Sequence, residues 1–371
     1  MLKNNDIELT NTKTFCICGL PFQAISEENI IELIKKSSVS GNKLIINTPN
    51  LNFLRTASND SNFYDALLYS DLLIPDGMPI IWIARLLQIP INKRIAGSSL
   101  LSKLISNLSD FPFKVFYFGG APGVSRRAHR VTNSVEGKST SVGHLDPGYG
   151  DLDSLSKHEY IKKINTSKPN ILLVSLPAKK GVSWISQNWN RLEVNIAISS
   201  GATVNFIAGT LKRSPALFQN IGLEWLWRIL EEPRLLKRYF WDGSWLIKTT
   251  ITKLIPLIFI TSIFRIYKFR NVETIEIKEV KKDTIWIGLP KFCNYEIAED
   301  LLKIFKNCPD VSSLSLDTSK VVYLDSRFLG EVLSIKSKFI KQNFAFKITN
   351  PSKQFRILSK LHGANNLNDV R

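Results

Sequence analysis

The chain has 371 residues, 44% of them hydrophobic, and a formal net charge of +17. That length suffices for two domains, and the charge favours an anionic partner: nucleic acid, acidic lipid, or the phosphates of a nucleotide or lipid-diphosphate substrate. No RNA-binding signature, zinc-ligand spacing or aromatic-basic repeat accompanies the charge, so nucleic acid is the disfavoured partner.

The N-terminal MLKNNDIELT lacks the apolar core of a secretion signal, which places the expected protein inside the cell. Cys16, Cys18, Cys293 and Cys308 form neither a zinc-type pair of pairs nor a dense framework, and they read as reduced thiols. Cys16 and Cys18 are expected on alternate sides of a strand.

Up to about residue 210, short apolar runs alternate with helical patterns. KLIINTPN (43–50), FKVFYFGG (113–120), NILLVSLP (170–177) and VNIAISSG (194–201) each end in Gly, Pro or Asn. This predicts an alternating α/β domain with buried parallel strands and a ligand site at their carboxyl ends.

Several loops there carry chemistry. Asn47-Thr48-Pro49-Asn50 offers polar groups that grip a sugar or nucleotide, or else forms a plain turn. A strand delivers Asp76 to the tip of Pro75-Asp76-Gly77, where a carboxylate either takes a proton from a sugar hydroxyl or caps the next helix, while Asp71 reads as a cap or surface contact. Arg94 precedes Gly97-Ser98-Ser99, a helix start suited to a phosphate, against which stands a solvated arginine. Gly119 and Gly120, in FGGAPGV, allow close backbone approach to a nucleotide, although the string is neither GxGxxG nor a P-loop. Tyr149, in GHLDPGY, contributes a loop to the same site. Asp151-Leu152-Asp153 mimics a metal-binding DxD string but lies in an acidic helix start, where carboxylates favour the helix dipole without any metal.

Between Leu211 and Arg270 there are eleven Lys and Arg against four acids, a local excess of seven positive charges. Within this basic waist, GLEWLWRILEEPRLLKRY (222–239) spaces apolar residues along one helix face with Arg228, Arg234, Lys237 and Arg238 between them, a pattern shared by a membrane-facing helix and a terminal helix packed on its own domain. The apolar run Leu254–Phe264 is eleven residues, flanked by Lys253 and Arg265 and interrupted by Pro256. A span needs about 20, so an interfacial or re-entrant anchor is expected in place of a crossing. VETIEIKEVKKD (272–283) has a charged linker's look, and a small α/β module of about 90 residues follows.

Taken in order, TPN (48–50), PDG (75–77), RIAGSSLL (94–101), FGGAPGV (118–124), PGY (147–149), AGTLKRSP (208–215) and GLEWLWRILEEPRLLKRY resemble the WecG/TagA/CpsF family of glycosyltransferases, over about residues 14–243. The resemblance implies a Rossmann-like domain that carries out an inverting, metal-independent transfer of a sugar from a UDP-sugar to a lipid-linked pyrophosphoryl sugar at the inner membrane face, in cell-surface polysaccharide biosynthesis. The sugar is of N-acetylmannosamine type, its uronic acid, or glucose. By position, Asp76 is the implied general base, with Thr48 and Asn50 beside it and Arg94 holding donor or acceptor groups. Arg228 and Arg238 fall in the family's membrane appendage, which closes over the site and meets the diphosphate. No cofactor beyond the UDP-sugar is implied.

Two departures stand out. Where the family has A-P-K-Q, this chain reads Ala178-Lys179-Lys180-Gly181, and two usual aspartates appear as Asn205 and Ser99. Residues 282–366 resemble a STAS domain, centred on Tyr323-Leu324-Asp325-Ser326-Arg327-Phe328-Leu329-Gly330. The usual phosphoacceptor serine is Arg327 here, and Ser326 reads as a helix cap. The expected organisation is therefore a transferase domain over 1–243 with its basic tail at 211–243, a membrane-interface segment and linker at 244–271, and a STAS-like domain over 272–371 that docks a protein or small ligand. The alternative function is a catalytically weakened membrane-bound scaffold acting through the STAS-like domain.

Overall fold

The computed structural model describes residues 12–105, 111–199, 201–211, 214–215, 218, 222–266, 273–281, 283–307 and 311–367. The N-terminal decapeptide, Lys212, Arg213, Lys268, Arg270 and Cys308 lie outside the described residues. The chain divides into two compact units, one built from Ile25–Pro79 and Lys93–Asp242, the other from the residues up to Ala24, Ile80–Asn92 and the chain from Gly243 onward. The hairpin of β1 (Thr14–Ile17) and β2 (Leu20–Gln23) thus falls in the same compact unit as the C-terminal residues.

The first unit holds a six-stranded sheet of β3 (Leu44–Asn47), β4 (Leu72–Leu73), β5 (Lys114–Gly119), β6 (Thr140–Leu145), β7 (Ile171–Ser175) and β8 (Ile196–Ser199), in the order β4-β3-β8-β7-β5-β6. Every pairing is parallel. The central strands are buried along their whole length, as LIIN and ILLVS must be when helices cover both faces. Helix Glu27–Ser40 illustrates the local code. Ser26 accepts from Asn29 N, Glu27 and Glu28 fill the first turn, and Gly41 closes the helix at φ 74°. Phe118 and Trp184 stack at 4.3 Å in the core.

In the second unit, β9 (Glu276–Lys281), β10 (Thr284–Gly288), β12 (Ser313–Asp317) and β14 (Ala345–Thr349) form a sheet in the order β14-β12-β10-β9. Pairings from β10 through β14 are parallel and β9 is antiparallel. The predicted charged linker is therefore largely an edge strand, its charges suiting an exposed edge. The short β11 (Phe292–Cys293) and β13 (Tyr323–Leu324) pair separately.

The hairpin lies on helix Ser326–Lys341 of this unit. Thr14 N donates to Glu331 Oε1 at 3.1 Å, Ser326 Oγ donates to the Cys16 carbonyl at 2.8 Å, and Arg327 pairs with Glu331 while donating to the Thr14 carbonyl at 3.3 Å. Gly330 permits this approach, because a β-carbon there would stand 2.6 Å from the Thr14 carbonyl oxygen. Two expectations change. Asp325, which accepts from Phe328 N at 2.7 Å, is the helix cap, and Ser326 holds the hairpin instead. Cys18 sits in the turn at φ 49°, not on the strand. Burial keeps its thiol protonated, pushed up to about 12.

The run at 222–239 is not one helix. Helix Glu224–Glu231 ends before Pro233, which lacks the N–H to continue it, and a 3₁₀ turn, Pro233–Leu235, leads into helix Leu236–Thr249. A π turn, Thr250–Leu254, then joins helix Ile255–Ile266. The wider π turn accommodates the ring of Pro256, so the apolar run extends a longer helix where an interruption was expected. Pro233–Phe264, 32 residues, is long and apolar enough to cross a membrane by length and composition. Leu254 and Leu257 are buried in the second unit, whereas Ile247, Ile251, Ile255, Phe259 and Ile263 are 37–68% exposed. Four-residue steps drift by about 40° each on an α-helix, and the π turn offsets part of this drift.

Candidate active site

The carboxyl ends of β3 and β4 carry the residues that the sequence brings forward, and backbone hydrogen bonds lock their loops together. Asp76 N donates to the Pro49 carbonyl at 2.9 Å, and Ile95 N donates to the Pro75 carbonyl at 3.0 Å, so the TPN turn, the PDG tip and the Arg94 segment form one assembly. Asp71 Oδ2 accepts from Ile45 N at 2.7 Å, a sheet contact.

The half-buried carboxyl of Asp76 accepts from Gly97 N, at the start of helix Gly97–Ile105, the position proposed from sequence for a phosphate. Burial pushes this carboxyl up to about 7, Arg94 opposing the rise and Glu224 adding to it. Gly97 lacks a side chain for a local reason: a β-carbon would stand 3.1 Å from Thr48 Oγ1 and 3.8 Å from Thr203 Oγ1. Thr48 is buried there. Asn50 has a structural duty, accepting from Asn52 N at 3.1 Å as cap of helix Leu51–Ala57. Its amide NH2 is the group it can offer a ligand.

Arg94 is not solvated. Its guanidinium binds the carboxylate of Glu224, from the first turn of helix Glu224–Glu231. Gly222 (φ 77°) leads into that helix with its Cα against Met78, where a β-carbon would meet Met78 Cγ at 2.9 Å. Arg228, one turn after Glu224, lies 5.7 Å over the Phe206 ring and 3.9 Å from Glu232. The appendage thereby touches the PDG loop, Arg94 and helix Thr203–Ile207. Arg238 stacks on Tyr239 at 4.7 Å, and its buried Nε has no hydrogen-bond partner among the described residues. No described contact joins Arg238 to Asp76.

Gly119, Gly120 and Tyr149 belong to the far half of the same edge. Between β3 and β5 stand β8 and β7, three strand spacings or about 14 Å. Gly119, Gly120 and Gly123 all have positive φ, and at Gly119 a β-carbon would come within 3.0 Å of the Ser175 carbonyl. Asp146 Oδ2 accepts from Gly123 N at 2.9 Å, and Lys180 Nζ donates to the Gly150 carbonyl at 2.6 Å, fixing the loop on which Tyr149 stands 88% exposed. Asp151 caps helix Leu152–Leu155.

The departures have local explanations. Asn205 organises the following turn, accepting from Thr210 Oγ1 at 3.2 Å. At Gly181 a β-carbon would stand 2.8 Å from Ser199 Oγ, so the hydroxyl takes the room a longer residue needs. Gly181→Gln is therefore expected to destabilise the protein by about 1–3 kcal/mol, and Ser199→Ala in the same chain to recover much of it. Thermal melts of the two variants check this; an unchanged melting temperature in Gly181→Gln contradicts it.

Sequence reading missed Glu224, Thr203 and Asp242. Asp242 is buried, accepting from Arg55 Nε at 2.6 Å and Asn52 Nδ2 at 3.2 Å, and ties helix Leu236–Thr249 to the helix capped by Asn50. For Glu224 and Asp242 the available signal was that they are two of only four acids between Leu211 and Arg270, in an otherwise basic segment.

The profile of the Glycosyl transferase WecG/TagA/CpsF family matches residues 15–256. The chain is 27% identical over 195 residues, half of its length and 74% of the relative's, to the N-acetylglucosaminyldiphosphoundecaprenol N-acetyl-beta-D-mannosaminyltransferase of Bacillus spizizenii. It is 25% identical over 225 residues, 60% of its length and 87% of the relative's, to the Staphylococcus aureus (strain MRSA252) protein of the same name.

Proposed function

Because the chain belongs to the Glycosyl transferase WecG/TagA/CpsF family, and is a hexosyltransferase, we propose that it moves a sugar from a UDP-sugar to a lipid-linked pyrophosphoryl sugar with inversion and without a metal. The relatives' names favour N-acetylmannosamine over its uronic acid or glucose, and an N-acetylglucosaminyl diphospholipid as acceptor. The observation that carries this reading is the Asp76 carboxyl, raised to about 7 beside Arg94. Ionised, it takes the proton of the acceptor hydroxyl; that oxygen attacks the anomeric carbon from the face opposite UDP, and the bond to the diphosphate breaks with its electrons leaving on UDP. Arginines would meet the departing charge. A nucleotide sugar lying across the strand ends would bring its base toward Tyr149.

The test is a screen of UDP-sugars with an N-acetylglucosaminyl diphospholipid acceptor. Acceptor-dependent UDP release with one donor is expected. Absence of release with every donor would overturn the enzyme reading and leave the scaffold.

We place the enzyme on the inner face of the membrane, a peripheral protein of cell-surface polysaccharide biosynthesis. The exposed Ile247, Ile251, Ile255, Phe259 and Ile263 support contact with lipid, and the burial of Leu254 and Leu257 in a protein core supports lying on the bilayer over crossing it. Ile247→Ser with Ile251→Ser and Ile255→Ser is expected to move the protein into the soluble fraction, each change removing on the order of 1 kcal/mol of apolar transfer. High salt weakens the basic contribution. Retention of the triple variant on membranes would put the anchor elsewhere. For the C-terminal unit we retain a STAS-like module; its Arg327 holds the N-terminal hairpin, which supports a docking role over a phosphate switch.

A further inference from the structure

Arg94 is the basic group whose charge acts on Asp76, and it is suited to an anionic substrate, yet its guanidinium is engaged by Glu224. The contact is built. Gly222 seats the start of the appendage on Met78 with no room for a side chain, and two residues later the chain delivers Glu224 to Arg94. Neither partner is fully exposed, at 18% and 29% of their side chains, so water does not greatly weaken the pair. Two carboxylates, Asp76 and Glu224, thus share one arginine, an arrangement in which an arriving phosphate competes with Glu224 for the same donors.

We propose that Glu224 is an internal stand-in for a substrate phosphate: it holds the appendage helix on Arg94 in the substrate-free enzyme and yields the guanidinium when a diphosphate binds. This rests on the reading of Arg94 as an anion-holding residue beside the base. Glu224 is a positioning residue, since it acts through Arg94 and through the placement of its helix. The diphosphate comes from one of two sources, the nucleotide donor or the lipid-linked acceptor, and these are separable.

The experiment uses the full-length protein and measures the binding of UDP, and of a short-chain prenyl-diphosphate N-acetylglucosamine, by calorimetry. Glu224→Gln removes the competing charge and preserves the shape. One of the two ligands is expected to bind about fivefold tighter, near the upper range for an incompletely buried ion pair; whichever gains identifies the source. The KM for that substrate should fall with little change in kcat, a split that mere loosening of the appendage would not give. On an Arg94→Ala background the gain should vanish. Equal or weaker binding of both ligands in Glu224→Gln overturns the proposal, as does a gain that persists without Arg94. Because the calorimetric binding does not need turnover, it fails or succeeds separately from the assignment of Asp76: Asp76→Asn retaining full rate removes the base and leaves the competition at Arg94 standing.

Discussion

Asp76→Asn is expected to lower kcat by about 100-fold or more, because a positioned base contributes roughly 10²–10⁴ and an amide cannot accept the proton. Wild-type kcat/KM should fall about tenfold per pH unit below about 7, where burial holds the Asp76 carboxyl. The residual rate of the variant should lack that limb. An unchanged rate would remove Asp76 from the mechanism. Stability should move the other way. The carboxyl binds its proton more tightly folded than unfolded, so its contribution is most favourable at low pH and declines as pH rises from about 4 to about 7. Discounted for partial exposure, Asp76→Asn should stabilise the protein at pH 8 by about 1–2 kcal/mol, with little effect at pH 4. Such opposition between activity and stability is what a strained catalytic group produces.

Arg327→Ala should destabilise the C-terminal unit by about 3–5 kcal/mol. The side chains of Arg327 and Glu331 are nearly inaccessible, and Glu331 also accepts from Thr14 N, so removing the arginine leaves a buried carboxylate with one backbone donor. The first consequence should be local: amide exchange across residues 14–23 accelerates before the rest of the unit is lost. Arg327→Met with Glu331→Leu, which removes both charges at similar volume, should restore most of the stability. Unchanged exchange in the hairpin of Arg327→Ala would show that its apolar face alone holds it.

The central strands were legible because a strand buried on both faces must be apolar throughout and must end in turn residues. β6 was not, since TSVGHL mixes polar and small residues on a sheet edge. The loops bearing Thr48, Asp76 and Arg94 could be read as one site from their order, and backbone bonds among Pro49, Pro75, Asp76 and Ile95 explain why they converge. Three things escaped. Glu224 escaped because a carboxylate in a basic segment looks like a solubilising residue until its partner is known. The strand β9 hid behind its charges. Most of all, the partner of the N-terminal hairpin lies some 310 residues away, and no local pattern announces so distant a pairing.

That separation has a consequence for how the molecule is made. Residues 14–23 leave the ribosome long before helix Ser326–Lys341, and at about 5–20 residues per second the interval is roughly 15–60 s. An isolated two-stranded ribbon is marginal in water, and Ile17, Leu20 and Phe22, all buried in the finished protein, have no mate during that time. The segment from Ile25 has everything it needs to begin folding while the ends of the chain still wait for each other. A nascent chain stalled anywhere before residue 326 would therefore display an apolar ribbon at its leading end, a handle for a chaperone or, at high concentration, a seed for aggregation.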